Sequence, residues 1–206
     1  MYIYGASGHA RVIIDMIDSF EKIHGVFDDN PEVKDILGYP VLGPLPEDLR
    51  FKSDLFIAIG DNRIRKKIAE RLAGFCRFAN IIHDSAIFSK RANIQSGTVI
   101  MEGAIVKVNT EIGSHVIVNT GASVDHDCKI GDFVHIAPQA TLCGGITVGE
   151  GTLVGANATI LPGVKVGRWA TIGAGSIVHR DVADHSIWIG NKPVAPLVSA
   201  RVAQQA

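Results

Sequence analysis

The sequence predicts two architectures in one chain: an α/β domain on a small parallel sheet over residues 1–83, and a parallel β-helix of hexapeptide repeats over residues 84–190, with a tail over 191–206. Three observations carry this. A strand–glycine loop–helix pattern opens the first half, and an aliphatic residue recurs at every sixth position through the second. The chain also has a mean hydropathy of +0.22 with 22 glycines and only 6% aromatics. Small and aliphatic residues in such excess suit a narrow, repetitive core.

Met1–Tyr4 reads as a strand, Gly5-Ala6-Ser7-Gly8-His9 as a tight loop, and Ala10–Phe20 as a helix carrying Val12, Ile13, Ile14, Met16 and Ile17. A helix N-terminus behind glycines offers free N–H groups and a positive dipole end, which suits a pyrophosphate. Gly5, Ser7, Gly8 and His9 are therefore candidates for a phosphate cradle. A plain turn is the other reading, because Gly-x-x-Gly is shorter than the dinucleotide fingerprint.

A second strand, Gly25-Val26-Phe27, runs into Asp28-Asp29-Asn30, and a third, Leu55–Ile59, runs into Gly60-Asp61-Asn62 before a helix over Arg63–Ala73. In an open Rossmann-like sheet, ligands bind beyond the carboxyl ends of the strands, so Asp28, Asp29, Gly60 and Asn62 join the glycine loop as candidates. Such acids accept hydrogen bonds from a base or ribose, or serve as turn and cap residues. The domain is too short for a dinucleotide and fits a mononucleotide.

Counting in sixes from Ile94 to Val178, all fifteen positions are Ile, Leu or Val. Two residues before them the side chain is mostly small, as at Ala92, Ala104, Ala122, Cys128, Ala140, Ala158, Ala170 and Ser176. Both positions thus face a narrow interior. Glycine follows the aliphatic at Gly113, Gly131, Gly149 and Gly167, where it would let the backbone turn a corner, and these lie eighteen residues apart. Three six-residue faces therefore make one coil of a triangular prism, with about five coils stacked roughly 4.8 Å apart. An amphipathic helix needs a 3.6-residue period and would not survive this many glycines.

The balance of 20 basic and 21 acidic residues, net −1, leaves no broad electrostatic footprint for nucleic acid or an anionic membrane, which points to small-molecule partners. Three cysteines without metal-ligand spacing, and no secretory signal at Met1, predict a reduced, cytoplasmic protein. The apolar runs are far shorter than a membrane span.

Hexapeptide prisms of this kind resemble the left-handed β-helix acyltransferases, over about residues 86–195. Tyr2-Ile3-Tyr4-Gly5-Ala6-Ser7-Gly8-His9, then Ile57-Ala58-Ile59-Gly60, then the prism, together resemble the sialic acid O-acetyltransferase NeuD-like family across nearly the whole chain. Within it the likeness is closest to bacterial N-acetyltransferases that modify the 4-amino group of a nucleotide-linked 4-amino-4,6-dideoxyhexose for surface glycans. The resemblance implies acetyl-CoA as co-substrate and a homotrimer with active sites at subunit boundaries. It also implies that Gly8 and His9 meet the acceptor's pyrophosphate and Asp28 or Asp29 its base. O-acetylation of sialic acid or another sugar hydroxyl, and a non-catalytic scaffold, are the alternatives.

The informative stretch of the prism is Val118-Asn119-Thr120-Gly121-Ala122-Ser123-Val124-Asp125-His126-Asp127-Cys128. A protonated amine cannot attack a thioester, so acyl transfer to an amine needs a base, and His126 has the right intrinsic pKa. Asp127 or Asp125 would orient its ring, and Asn119 would hydrogen-bond in the same crevice. The family places its catalytic histidine in the matching phrase, which carries His126 and Asp127 to that pair. The likeness makes His135 a contact for the acyl donor or acceptor, and Gly144 the oxyanion-binding backbone N–H. Gly155, Ala156, Gly173 and Ala174 are small enough for a pantetheine arm to approach the backbone. Ile189-Gly190-Asn191-Lys192-Pro193-Val194-Ala195 resembles the closing phrase of such enzymes and offers Lys192 to a CoA phosphate. Cys128 holds an interior position and would be an inert core thiol. The γ-class carbonic anhydrases share the prism, but His115, His126 and His135 are not eighteen apart and lack a His-x-x-x-x-His pair, so no metal is expected.

Overall fold

The computed structural model describes residues 1–17, 23–46 and 54–194. Strands β1 (Tyr2–Tyr4), β2 (Gly25–Phe27) and β5 (Leu55–Ile57) form a parallel sheet in the order β2-β1-β5. Side chains along a strand alternate between faces, and the two cores follow that alternation. Ile3, Val26 and Phe56 pack with helix α1 (Gly8–Met16) on one face, while Tyr4, Phe27, Leu55 and Ile57 pack with helix α2 (Asn62–Leu72) on the other.

Helix α1 begins at Gly8, inside the expected loop, with Ser7 at the capping position. Its expected continuation to Phe20 falls partly outside the described residues. The sequence reading missed the hairpin of β3 (Asp35–Ile36) and β4 (Tyr39–Pro40), which turns on Leu37 and Gly38, both at positive φ. Leucine is a poor residue for that conformation and gives no turn signal.

The second half is a three-sided parallel β-helix whose strands recur every eighteen residues on each of three sheets. The aliphatic and the small residue two before it both point inward, and Ile100, Val106, Ala122, Val124, Cys128 and Ile136 are all fully buried in one core. The stack is taller than the expected five coils. One sheet starts at Ile81–Ile82, paired with Val99–Ile100, and runs on to Ile187–Ile189. The six-residue count weakens there because an aromatic, Phe88, replaces the aliphatic.

The corners are not made as the glycines suggested. The left-handed turn residue recurs every six positions from Gly97 to Gly175, and half of these are not glycine, including Asn109, His115, Asp127, Phe133 and Trp169. Gly113, Gly131, Gly149 and Gly167 lack a positive φ and are needed for clearance. A Cβ on Gly149 would stand 2.6 Å from the Arg168 backbone nitrogen on the next coil.

The α/β domain docks on one sheet of the prism. Outward-facing Ile81, Val99 and Ile117, with Met101, are buried against Ile3, Ile13 and Phe56. The corresponding outward positions of another sheet are Asn93, Glu111, Lys129 and Lys165, all exposed. Burial of apolar area thus fixes which side carries the domain.

Candidate active site

His126 sits in the turn between strands Ser123–Val124 and Lys129–Ile130, at the corner where the two sheets free of the α/β domain meet. Its Nδ1 is 2.7 Å from Asp127 Oδ2, and its backbone N–H donates to Asp125 Oδ1 at 2.7 Å. Asp127 therefore orients the ring, while Asp125 holds the main chain. Asp127 reaches its neighbour because its φ is 57°. Its other oxygen accepts from Asn109 Nδ2, one coil away, at 3.1 Å. Asp127 holds the imidazolium and raises the His126 pKa above its usual value, while His126 and then Asn109 lower that of the carboxyl.

With Nδ1 engaged, Nε2 faces outward over Gly144. A Cβ on Gly144 would lie 2.6 Å from His126 Nε2 and Cε1, so any larger residue would push the ring from this position. The neighbouring Gly145 N–H is committed to the His126 carbonyl at 2.9 Å, whereas the Gly144 N–H has no partner among the described residues. A base, its orienting carboxylate and a free backbone donor thus share one corner. Cys128 lies behind them, fully buried, its thiol against the Cys143 carbonyl and its pKa pushed up by burial.

A second cluster lies on the opposite side. His135 is on the outer face of the sheet that carries the α/β domain, and its Nε2 is 3.1 Å from Asn119 Nδ2. The Gly60 backbone also acts on the same ring, favouring its protonated form. Gly60 in turn lies beside the His9 Cβ, at 4.0 Å from where its own would be. His9 and His135 are both lowered to about 4, first by burial and then by the charge of Arg65, so both are neutral at pH 7. His9 Nε2 is buried and has no hydrogen-bond partner among the described residues, while Ser7 and Gly8 are exposed at an α1 terminus without a side-chain cap. Gly60, Asn62 and His135 also line a cleft of about 330 Å³ with Arg63, Leu153 and Trp169.

The structure accounts for several candidates by packing. Asp28 accepts from Ala6 N–H at 2.6 Å and Asn30 N–H at 2.8 Å, which sets the glycine loop, and Gly5 is there at φ 110°. Asp29 lies 3.9 Å from Arg71. Asn62 donates to Gly151 and Thr152 carbonyls, tying α2 to the prism. Space at Gly155 is filled by the backbone of Gly173 and Ala174, and space at Gly173 by the Trp188 carbonyl, so coil stacking by itself calls for glycine at both. These residues and Ala156 follow strands of the docked sheet and lie at a different corner from Gly144. Lys192 is exposed on the terminal antiparallel strand. His115 lies apart from His126 and His135, between Phe78 and Phe133.

Two residues of consequence were missed. Asn109 was findable, since it precedes Asp127 by one eighteen-residue coil. Arg65, 1% exposed beneath the cleft, was read only as part of a helix.

Residues 1–72 match the family described as PglD N-terminal domain, and residues 109–144 and 145–180 match bacterial transferase hexapeptide repeats. The chain is 42% identical over 107 residues to the UDP-N-acetylbacillosamine N-acetyltransferase of Bacillus subtilis, a match covering 48% of this chain and 50% of that protein. The chain spans half or less of the length of the curated relatives it matches. Among solved structures it resembles a mutant perosamine N-acetyltransferase from Caulobacter crescentus in complex with CoA and GDP-perosamine. The TM-score is 0.87 at 35% identity, over 94% of this chain and 96% of that one. The acetyltransferase domain of PglB from Neisseria gonorrhoeae, in complex with acetyl coenzyme A, gives 0.84 at 32% identity, over 94% and 97%.

Proposed function

Because the chain belongs to the family that joins a PglD-type N-terminal domain to bacterial transferase hexapeptide repeats, we propose that it transfers acetyl from acetyl-CoA to the 4-amino group of a nucleotide-linked 4-amino-4,6-dideoxyhexose. The observation that carries this reading is the His126–Asp127 pair beside the free Gly144 N–H. His126 Nε2 takes a proton as the amine attacks the thioester carbonyl carbon, and the Gly144 N–H donates to the carbonyl oxygen as it gains charge. Collapse breaks the carbon–sulfur bond, and the imidazolium returns the proton to the departing thiolate. The product amide serves surface-glycan synthesis.

The acceptor's nucleotide is assigned to the Gly5–His9 loop, Asp28, Asp29 and the Gly60–Asn62 loop, and Lys192 with the small residues of the later coils to CoA. His126 and His135 lie on opposite sides of one prism, a corner and the side facing it, so one copy does not present base and acceptor cleft to the same molecule. The reading therefore takes a homotrimer in which the corner of one copy meets the cleft of its neighbour. No helix among the described residues is long and apolar enough to cross a membrane, and acetyl-CoA and nucleotide sugars as substrates agree with the cytoplasm.

The test is thiol release from acetyl-CoA with UDP-, dTDP- and GDP-linked 4-amino-4,6-dideoxyhexoses, run beside free and cytidylylated sialic acid. Turnover on an amino sugar is expected. Release only with sialic acid would replace the reading by O-acetylation, and no release with any acceptor would leave a scaffold.

A further inference from the structure

Arg65 projects from α2 into the seam between the α/β domain and the prism. A guanidinium carries five N–H donors, and here all five are used. Nε donates to the His115 carbonyl at 2.9 Å, one terminal nitrogen to the Ile59 and Gly60 carbonyls at 2.9 and 3.1 Å, and the other to Asn62 Oδ1 and the Phe133 carbonyl at 2.8 and 3.0 Å. Two acceptors belong to the loop after β5, and two to successive turns of one prism corner.

Every one of these partners is neutral. No carboxylate bonds to Arg65 among the described residues, and the nearby Asp61 carboxyl instead caps α2 through the Arg63 and Ile64 N–H groups. A buried charge without an opposite partner is costly and is ordinarily paired. Burial accordingly lowers the Arg65 pKa to about 9, which still leaves it charged at neutral pH. Its field reaches the cleft, where it is a cause of the lowered pKa of both His9 and His135.

We propose that Arg65 is a positioning residue for an anionic acceptor: its buried guanidinium fixes the Gly60 loop on the prism and supplies positive charge, offset in part by Asp61 on the cleft wall, to the cleft that receives a nucleoside diphosphate. Among the described residues no carboxylate bonds the guanidinium directly, and the diphosphate adds its negative charge to that of Asp61. The guanidinium need not touch the ligand, because Coulomb interaction persists across one layer of low-dielectric protein. Keeping His9 and His135 neutral also preserves a lone pair on each ring for fixed hydrogen bonds. The inference rests on the reading of the acceptor as nucleotide-linked.

A charge series separates this role from a merely structural one. Binding of uridine, UMP and UDP, and of the guanosine and thymidine equivalents, is measured by calorimetry on the full chain and on Arg65→Gln. If Arg65 supplies charge, the preference for diphosphate over nucleoside drops by about 10-fold or more in the variant, while nucleoside affinity changes less. Equal loss across the series would reduce Arg65 to a structural clamp. Should Arg65→Gln fail to fold, Asn62→Asp turns the existing 2.8 Å contact into an ion pair with Arg65 in place, while giving up the bonds from Nδ2 to the Gly151 and Thr152 carbonyls. An unchanged preference in that variant would overturn the proposal. If wild-type protein binds no diphosphate of any series, the acceptor reading fails, and that result is distinct from either variant outcome.

Discussion

His126 Nδ1 and Asp127 Oδ2 stand 2.7 Å apart although the two residues are adjacent in sequence, because the left-handed backbone of Asp127 folds its side chain back onto the ring. In an extended strand, neighbouring side chains point to opposite faces. The corner of the β-helix thus pairs an imidazole with a carboxylate from consecutive residues, the arrangement that the proposed reaction needs of a base and its orienting acid. His126→Ala should lower kcat by about 10²- to 10⁴-fold, the usual scale for losing a general base, with the fold retained by circular dichroism. An unchanged rate of thiol release would remove His126 from the reaction.

The pair also sets a pH dependence. Asp127 raises the His126 pKa, and a base must be neutral to act, so the rate climbs as pH rises through that elevated value. Asp127→Asn withdraws the carboxylate and lets the pKa fall, moving the acid limb of kcat to lower pH while the plateau drops. An acid limb that stays in place would assign it to another group.

Gly144 carries the tightest steric demand at this corner. An alanine Cβ would lie 2.6 Å from His126 Nε2, so the ring must move. The φ of Gly144 is not left-handed, unlike that of Gly145, so Gly144→Ala is compatible with the backbone. The expected result is a kcat lower by about 10²-fold, the scale of an ångström misplacement, with thermal stability near that of the wild type. Full activity would show that the ring can shift without consequence.

Much of this was legible before the structure. The six-residue period gives the prism, and residues beside the inward aliphatics report the docking side: Ile81, Val99 and Ile117 are apolar every eighteen residues, whereas Asn93, Glu111 and Lys129 are not. Asn109 is reached from Asp127 by the same arithmetic. Arg65 was not legible, because four of its five partners are backbone carbonyls, which every residue possesses. At Gly155 and Gly173 a neighbouring coil and a bound chain would impose the same lack of a Cβ, so their glycines do not by themselves mark a ligand path.

Placing His126 and the acceptor cleft on opposite sides of the prism leads to a complementation experiment. His126→Ala spoils the corner, and Gly8→Val fills with a branched side chain the open space at the α1 terminus where the acceptor's pyrophosphate is proposed to bind. Co-assembled at random, about a quarter of the sites take an intact corner and an intact cleft from different copies. Mixed assemblies should therefore recover activity, at subsaturating acceptor, that neither variant shows alone. No recovery would mean that each copy works by itself.

Three histidines, His115 buried and His9 and His135 half-buried, contribute to the response to acid. His9, His115 and His135 are held to about 4, first by burial and then by Arg65, against about 6.5 for an unfolded chain. The unfolded state thus binds more protons between those values, and stability is lost as pH falls from about 6.5 towards 4. His115 isolates one contribution: it is 5% exposed, stacks on Phe133 at 5.1 Å, and its Nδ1 has no partner among the described residues. Phenylalanine fits the same place, since Phe133 already adopts the left-handed turn at φ 58° one coil on. His115→Phe should flatten the acid decline, gaining on the order of 2 kcal/mol over wild type between pH 7 and pH 5. Urea midpoints measured at each pH and at one protein concentration test this. Parallel curves would show that His115 takes up its proton in the folded state.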